Sequence, residues 1–233
     1  MNPKDLIDNA VIALGKEGFL PAYKYGRLCY TTEEHPGGDW IYARYMNKNC
    51  TYLRTFLFNL ISMILPEKER FIPSECLDCY KVVVRPESLG NLKKLKKLME
   101  QMDFPSKCGI ERRLEVDAIY GGYWYCEGLD EGLLRLDQVE YALLGSGMKP
   151  FLKRGCTEYE ADFGPSNTWK IKPGQMKIEK EAENRIVFEN FKTDQRENDK
   201  KEIMGEWSKF TRALGMGPVY KSTHNYVTYG EKV

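Results

Sequence analysis

The residues of this 233-residue chain best placed to do chemistry are its seven cysteines, two of which form the C-x-x-C turn Cys76-Leu77-Asp78-Cys79. A turn of that kind aims two thiolates at one ion or cluster, and remote cysteines complete a four-sulfur shell. Seven is an odd number and too sparse for a disulfide scaffold in a chain of this length, so free thiols are expected. Free thiols bind metal, do redox work, or pack as small hydrophobes.

Other chemistry has less to work with. The only histidines, His35 and His224, lie in no recognisable motif, which leaves a Ser-His-Asp or Cys-His device without support. Gly145-Ser146-Gly147 ends a helical pattern instead of opening one, so it is no phosphate loop. Were 156–162 extended, Cys156, Glu158, Glu160 and Asp162 would share a face, as Glu115 and Asp117 would in their own segment. An exposed strand face produces the same pattern and is the expected origin of both. The aromatics Tyr120, Tyr123, Trp124 and Tyr125 could stack nucleobases. However, Tyr120-Gly121-Gly122-Tyr123 lacks the leading basic residue of the RNA-recognition motif, and core or interface aromatics are the expected reading.

The elements that must position these residues are clearest in mid-chain. A β-branched run predicts a strand over 79–85, and Pro86 stands at the start of a helix running to Met102 with Leu89, Leu92, Leu95, Leu98, Met99 and Met102 on one side. Lys93, Lys94, Lys96 and Lys97 lie mostly opposite, on a solvated face. Alternation of Leu114, Val116 and Ala118 with charged residues predicts a second strand over 111–120, Gly121-Gly122 a turn, and 123–126 a third strand. A helix over 130–144 and a last strand between 149 and 163 complete the series. Strand, helix, strand, strand, helix, strand is the split βαβ or ferredoxin-like arrangement, a name for a topology and not for a function.

The expected fold class is therefore α+β, in three parts. Residues 1–72 form a helical and hairpin segment, with helices over 3–16 and 50–65 and a hairpin over 26–46. Residues 73–164 form the ferredoxin-like core. Residues 165–233 form a C-terminal extension, with short strands over 169–171, 175–178 and 185–191 and a helix carrying Ile203, Trp207, Phe210 and Leu214.

That topology draws the cysteines together. Its first two strands run parallel and its last two run the other way. The starts of the first pair then share a sheet end with the finishes of the second. Cys76 and Cys79 stand at the start of the first strand, Cys108 just before the second, Cys126 at the close of the third. Cys156 closes the fourth if that strand spans 149–154. These five form a candidate ligand set for an iron–sulfur cluster of the 4Fe-4S kind, with a redox or cluster-based catalytic role. Zinc is the alternative, less favoured because a zinc ribbon presents two C-x-x-C knuckles and only one exists here.

A second reading, of another class, is a metal-free binding or assembly module that uses the aromatic sheet face and the C-terminal helix. Its partner would be single-stranded nucleic acid or a protein, a second copy included. The formal charge of +1 supplies no global field toward polyanions, so nucleic acid is not favoured. Met1-Asn2-Pro3-Lys4-Asp5 is followed by no apolar signal core. The most apolar run, 51–65, contains Arg54 and falls short of the roughly 20 residues that span a bilayer. A cytoplasmic protein with no membrane association is expected.

Overall fold

A computed structural model describes residues 5, 20–24, 27–31, 39–45, 57–58, 65–113, 116–189 and 195–214. In chain order the elements are strands β1 (Leu20–Lys24), β2 (Arg27–Thr31) and β3 (Trp40–Arg44), a short helix α1 (Ser74–Leu77), β4 (Cys79–Val84), α2 (Leu89–Met102), β5 (Ser106–Ile110), β6 (Tyr120–Glu127), α3 (Leu129–Ala142), β7 (Pro150–Arg154), α4 (Thr157–Phe163), α5 (Gln175–Arg185), β8 (Ile186–Glu189) and α6 (Glu197–Ala213). The chain forms two compact units that alternate along it: residues 1–34, 48–77 and 170–192 make the first, and 35–47, 78–169 and 193–233 the second. The helices expected over 3–16 and 50–65 lie outside the described residues, apart from Asp5, Leu57, Phe58 and Leu65. No helix among the described residues is long and apolar enough to cross a membrane.

The first unit holds a three-stranded sheet in the order β1-β2-β8. β2 runs antiparallel to β1 and parallel to β8. The hairpin expected over 26–46 is therefore corrected. β2 turns back on β1, while β3 belongs to the other unit's sheet. The strand expected over 175–178 is instead the start of α5. Buried Gln175 and Glu179, one helical turn apart, reach back to the start of α1 and the chain just before it: Gln175 Nε2 donates to the Ile72 carbonyl (2.9 Å), and Glu179 Oε1 accepts from the Ser74 N–H (2.8 Å).

The second unit is built on a five-stranded sheet in the order β3-β5-β6-β4-β7, antiparallel at every pairing. Helix α2 carries the chain from β4 to β5 and α3 carries it from β6 to β7, each time past one intervening strand. Helices α2, α3 and α6 bury Leu92, Leu95, Met99, Val139, Ile203 and Trp207, with Leu143 just after α3, in one core with the sheet residues Ile41, Tyr80, Val82, Val84, Cys108, Ile110, Trp124 and Leu152. This defines the helix-covered face.

Local chemistry sets the helix limits. Ser88 Oγ accepts from the Asn91 N–H at the start of α2, and Asp103 ends it with a left-handed φ of 50°. Helix α6 seals the sheet edge. The Trp207 indole donates to the Asp39 carbonyl (2.8 Å), and Gln195 pairs with both the Tyr42 N–H and the Trp40 carbonyl along β3 (2.9 and 2.8 Å). An edge strand capped in this way has fewer open groups for a foreign strand to pair with.

Two expectations about the middle strands are corrected. Gly121 and Gly122 lie inside β6 and form no turn. A Cβ on Gly122 would run into Leu95 and Met99, so the glycine serves the close approach of α2. The second strand is Ser106–Ile110, not 111–120. Its ladder with β6 ends at the pair Ile110 and Tyr120, and the Glu111 N–H donates to the Ile119 carbonyl (2.8 Å), closing a loop between them.

Candidate functional site

Strand register fixes where the five candidate cysteines lie. Cys126 pairs with Tyr80 and points into the helix-covered core. Cys108 lies in the middle of β5, opposite Gly122, and is not before the strand as expected. Gly122 in turn faces Val84, at the far end of β4. Four residues of β6 thus separate the levels of Cys108 and Cys126, about 13 Å at a strand's rise of ~3.3 Å per residue, with Trp124 between them. Two thiolates on one zinc ion, each ~2.3 Å from it, stand within about 4.6 Å of each other.

Cys79 alternates with Tyr80 and so belongs to the opposite, far face of the sheet. Cys156 follows β7, as expected, and the Lys81 ammonium donates to its Sγ at 3.1 Å, which places it on the far face too. Cys76 lies in α1, in the other unit. Among the described residues no three His, Cys, Asp or Glu side chains form a group that could hold a metal ion. A shell drawing on Cys108, Cys126, Cys79 and Cys156 together does not fit this sheet, because two of the four thiols lie on each face.

The far face instead gathers buried charge. Lys81 on β4 and Lys153 on β7 are direct cross-strand partners and both are buried. Like charges so placed repel unless anions accompany them. Lys153 pairs with Glu160 of α4, both side chains being more than nine-tenths covered. Burial pushes the Lys153 ammonium below its usual range, and Glu160 pulls it back up; Lys81 and Cys156 add smaller opposing effects. Glu160 Oε1 has no hydrogen-bond partner among the described residues. The segment after Cys156 is helical, not extended, so Glu160 turns in to Lys153 and Glu158 to Arg113 (3.1 Å).

A second cluster adjoins the first. Buried Glu111 accepts from Arg113 Nε (2.7 Å) and from the Tyr123 hydroxyl (2.7 Å). Although burial pushes the Glu111 carboxyl up, the Arg113 guanidinium and the Tyr123 hydroxyl hold it below the usual carboxylate range. Burial and the Glu111 charge push the Tyr123 phenol up.

The aromatic run divides by strand alternation. Tyr120 and Trp124 enter the core, Tyr123 is buried on the far face, and Tyr125 is half-buried there beneath the Lys81 ammonium. Farther along that face, the Lys107 ammonium stands 4.4 Å from the Trp40 ring centroid and 5.7 Å from that of Tyr42.

Sequence reasoning passed over Lys81 and Lys153. The signal was there. Lysine in Cys-Tyr-Lys-Val-Val-Val, a run that reads as a strand buried on both faces, is unusual enough to mark a site, because lysine is almost never buried without a partner.

These geometries carry the functional argument by themselves, because comparison with family models, with curated proteins and with solved structures finds no match for this chain.

Proposed function

We propose that this chain is a metal-free assembly module: a ferredoxin-like (split βαβ) core, extended at one edge by β3, that pairs with a second copy of itself through the outer surface of α3. The order β5-β6-β4-β7, with α2 and α3 both on one face, supports the fold reading. One observation carries the assembly reading. Leu133, Leu134, Tyr141 and Leu144, in α3 and just beyond it, are exposed by 45%, 58%, 78% and 70%. A cluster of large apolar side chains that wet marks an interaction surface.

The sequence pattern explains the exposure. At this helix the sheet is met by Gly132, where a Cβ would lie 2.9 Å from Leu152 Cδ1, and by Val139 and Leu143. The neighbouring leucines are surplus to the core. Exposed Asp130, Asp137 and Glu140 flank them on α3, and exposed Lys93, Lys94 and Lys97 lie on α2. A twofold contact sets a patch against its own copy. It would bury leucine on leucine and bring the acids of each α3 toward the lysines of the other α2.

Sedimentation velocity over a range of concentrations tests this. A dimer is expected, and Leu134→Glu is expected to weaken it by roughly tenfold or more, each factor of ten being about 1.4 kcal/mol. A wild-type chain that stays monomeric at every concentration sinks self-association. The cysteine-ligated cluster, or zinc in its place, is tested on the same preparation made without oxygen. Iron and zinc well below one per chain are expected. A brown protein that loses its iron on Cys79→Ala would overturn the metal-free reading.

A further inference from the structure

We propose that the far face of the five-stranded sheet, on its β3, β5 and β6 side, binds single-stranded nucleic acid by stacking bases on Trp40, Tyr42 and Tyr125 around Lys107. The site is independent of the assembly surface, which lies on the other side of the sheet.

Strand alternation and register build this surface. Trp40 and Tyr42 flank buried Ile41 on β3, so both rings stand on the far face. Tyr42 pairs across to Lys107 and Lys107 to Tyr123, a single row over three strands. Trp40 is in register with Gly109, and Gly109 with Gly121, one row above. Tyr125 stands one row below, two residues past Tyr123 on β6. The rings of Trp40, Tyr42 and Tyr125 therefore occupy three successive levels of the face, each about 7 Å from the next at a rise of ~3.3 Å per residue. The ladder of β3 with β5 shifts register between Tyr42 and Arg44. Such a bulge re-aims the residues after it, and Tyr45 stacks on Tyr42 with ring centroids 4.6 Å apart.

Exposure and charge select the occupant. Trp40, Tyr42, Tyr45, Lys107 and Tyr125 are half-buried, whereas Tyr120 and Trp124 are sealed in the core. Cations are interleaved with the wet rings. The Lys107 ammonium stands between Trp40 and Tyr42, 4.4 and 5.7 Å from their centroids, and the Lys81 ammonium is 5.6 Å from that of Tyr125. The neighbouring acids are already bound, Glu111 and Glu158 to Arg113 and Glu160 to Lys153. The formal charge of +1 for the whole chain thus hides a local cation at the centre of an aromatic patch.

An apolar protein surface laid here would strip water from the Lys107 ammonium. A nucleotide brings a flat base for the ring and a phosphate for the ammonium, the combination by which sequence-tolerant single-strand sites work. Lysine suits this role, because its charge rides on a flexible stem that can leave the ring for the phosphate. A duplex keeps its bases stacked on one another, so only an unpaired strand can lay them on these rings.

Fluorescence anisotropy of end-labelled oligouridine and oligodeoxythymidine, roughly twelve nucleotides long, tests the proposal with the full-length protein at about 50 and about 200 mM salt. Saturable binding of either supports it, and the ratio of the two affinities reports whether the 2′-hydroxyl is read. Trp40→Ala should weaken binding about fivefold or more. Lys107→Gln should weaken it and make the slope of log affinity against log salt shallower by about 0.7, the share of one phosphate contact. Lys94→Gln, on exposed α2, should change neither affinity nor slope. Circular dichroism establishes that each variant is folded; if Trp40→Ala is not, the salt slope of Lys107→Gln decides. No binding at about 100 µM protein in low salt overturns the proposal. So does a duplex of the same length that binds as tightly as the single strand, or polyglutamate that competes as well as unlabelled oligonucleotide. A folded Lys107→Gln with the affinity and slope of wild type overturns it too.

Discussion

Glu111→Gln is expected to destabilise the second unit by about 3 kcal/mol, at the lower end of what losing one partner of a buried pair costs. The substitution keeps the volume and removes the charge, leaving Glu158 as the carboxylate beside the Arg113 guanidinium and the buried Tyr123 hydroxyl with a weaker acceptor. Glu158→Gln is the control. Its contact with Arg113 is partly exposed on both sides, and its loss should cost no more than about 1 kcal/mol.

The difference between wild type and Glu111→Gln should also depend on pH. The Glu111 carboxyl is held below its ordinary value of 4.5 in the folded chain, so in that window the unfolded chain binds more protons. The stabilisation is therefore complete above about 4.5 and is lost as pH falls through the lower, folded value. Urea unfolding midpoints from pH 7 downward measure it. A gap between the two proteins that stays constant through the acid range would show that the charge of Glu111 is not what stabilises the cluster.

Trp207→Ala should be the most damaging single truncation, costing about 3–5 kcal/mol. The indole is fully buried against the helix-covered face, and its N–H satisfies the Asp39 carbonyl beside β3. Trp207→Phe keeps most of the apolar contact and loses the hydrogen bond, for which about 1 kcal/mol is expected. Hydrogen exchange gives a local readout. Amides of β3 should lose protection in Trp207→Ala before those of β4, which lies between β6 and β7. A Trp207→Ala protein within 1 kcal/mol of wild type would mean that α6 is not part of the core.

What could be read from residues alone follows from which signals were local. Helix α2 was legible because Leu92, Leu95 and Met99 recur at helical spacing, and α6 because Ile203 and Trp207 do. β4 was legible as a β-branched run.

The glycines at 121 and 122 misled, because a glycine needed for the approach of a helix far away in sequence looks the same as one needed for a turn. Missing that moved the second strand forward to 111–120 and took Cys108 with it. The direction of each strand, and hence the sheet end shared by Cys79, Cys126 and Cys156, followed from the crossovers. Which face each thiol points to depends on register, and a one-residue difference reverses it. The far-face cluster of Lys81, Lys153, Cys156 and Glu160 was not legible as a set. Its members come from three elements, and the alternating acids of α4 left an extended conformation open for that segment.

The bond from Trp207 to Asp39 spans 168 positions of sequence. During synthesis, every strand of the five-stranded sheet emerges before the helix that locks its edge. The nascent unit must therefore wait, sheet assembled or nearly so, with β3 uncapped until residue 207 is available. Contacts this distant in sequence slow folding, and an uncapped edge invites pairing with a neighbouring chain. Yield in a cell should therefore respond to temperature and to chaperone supply more strongly than the stability of the finished fold would suggest.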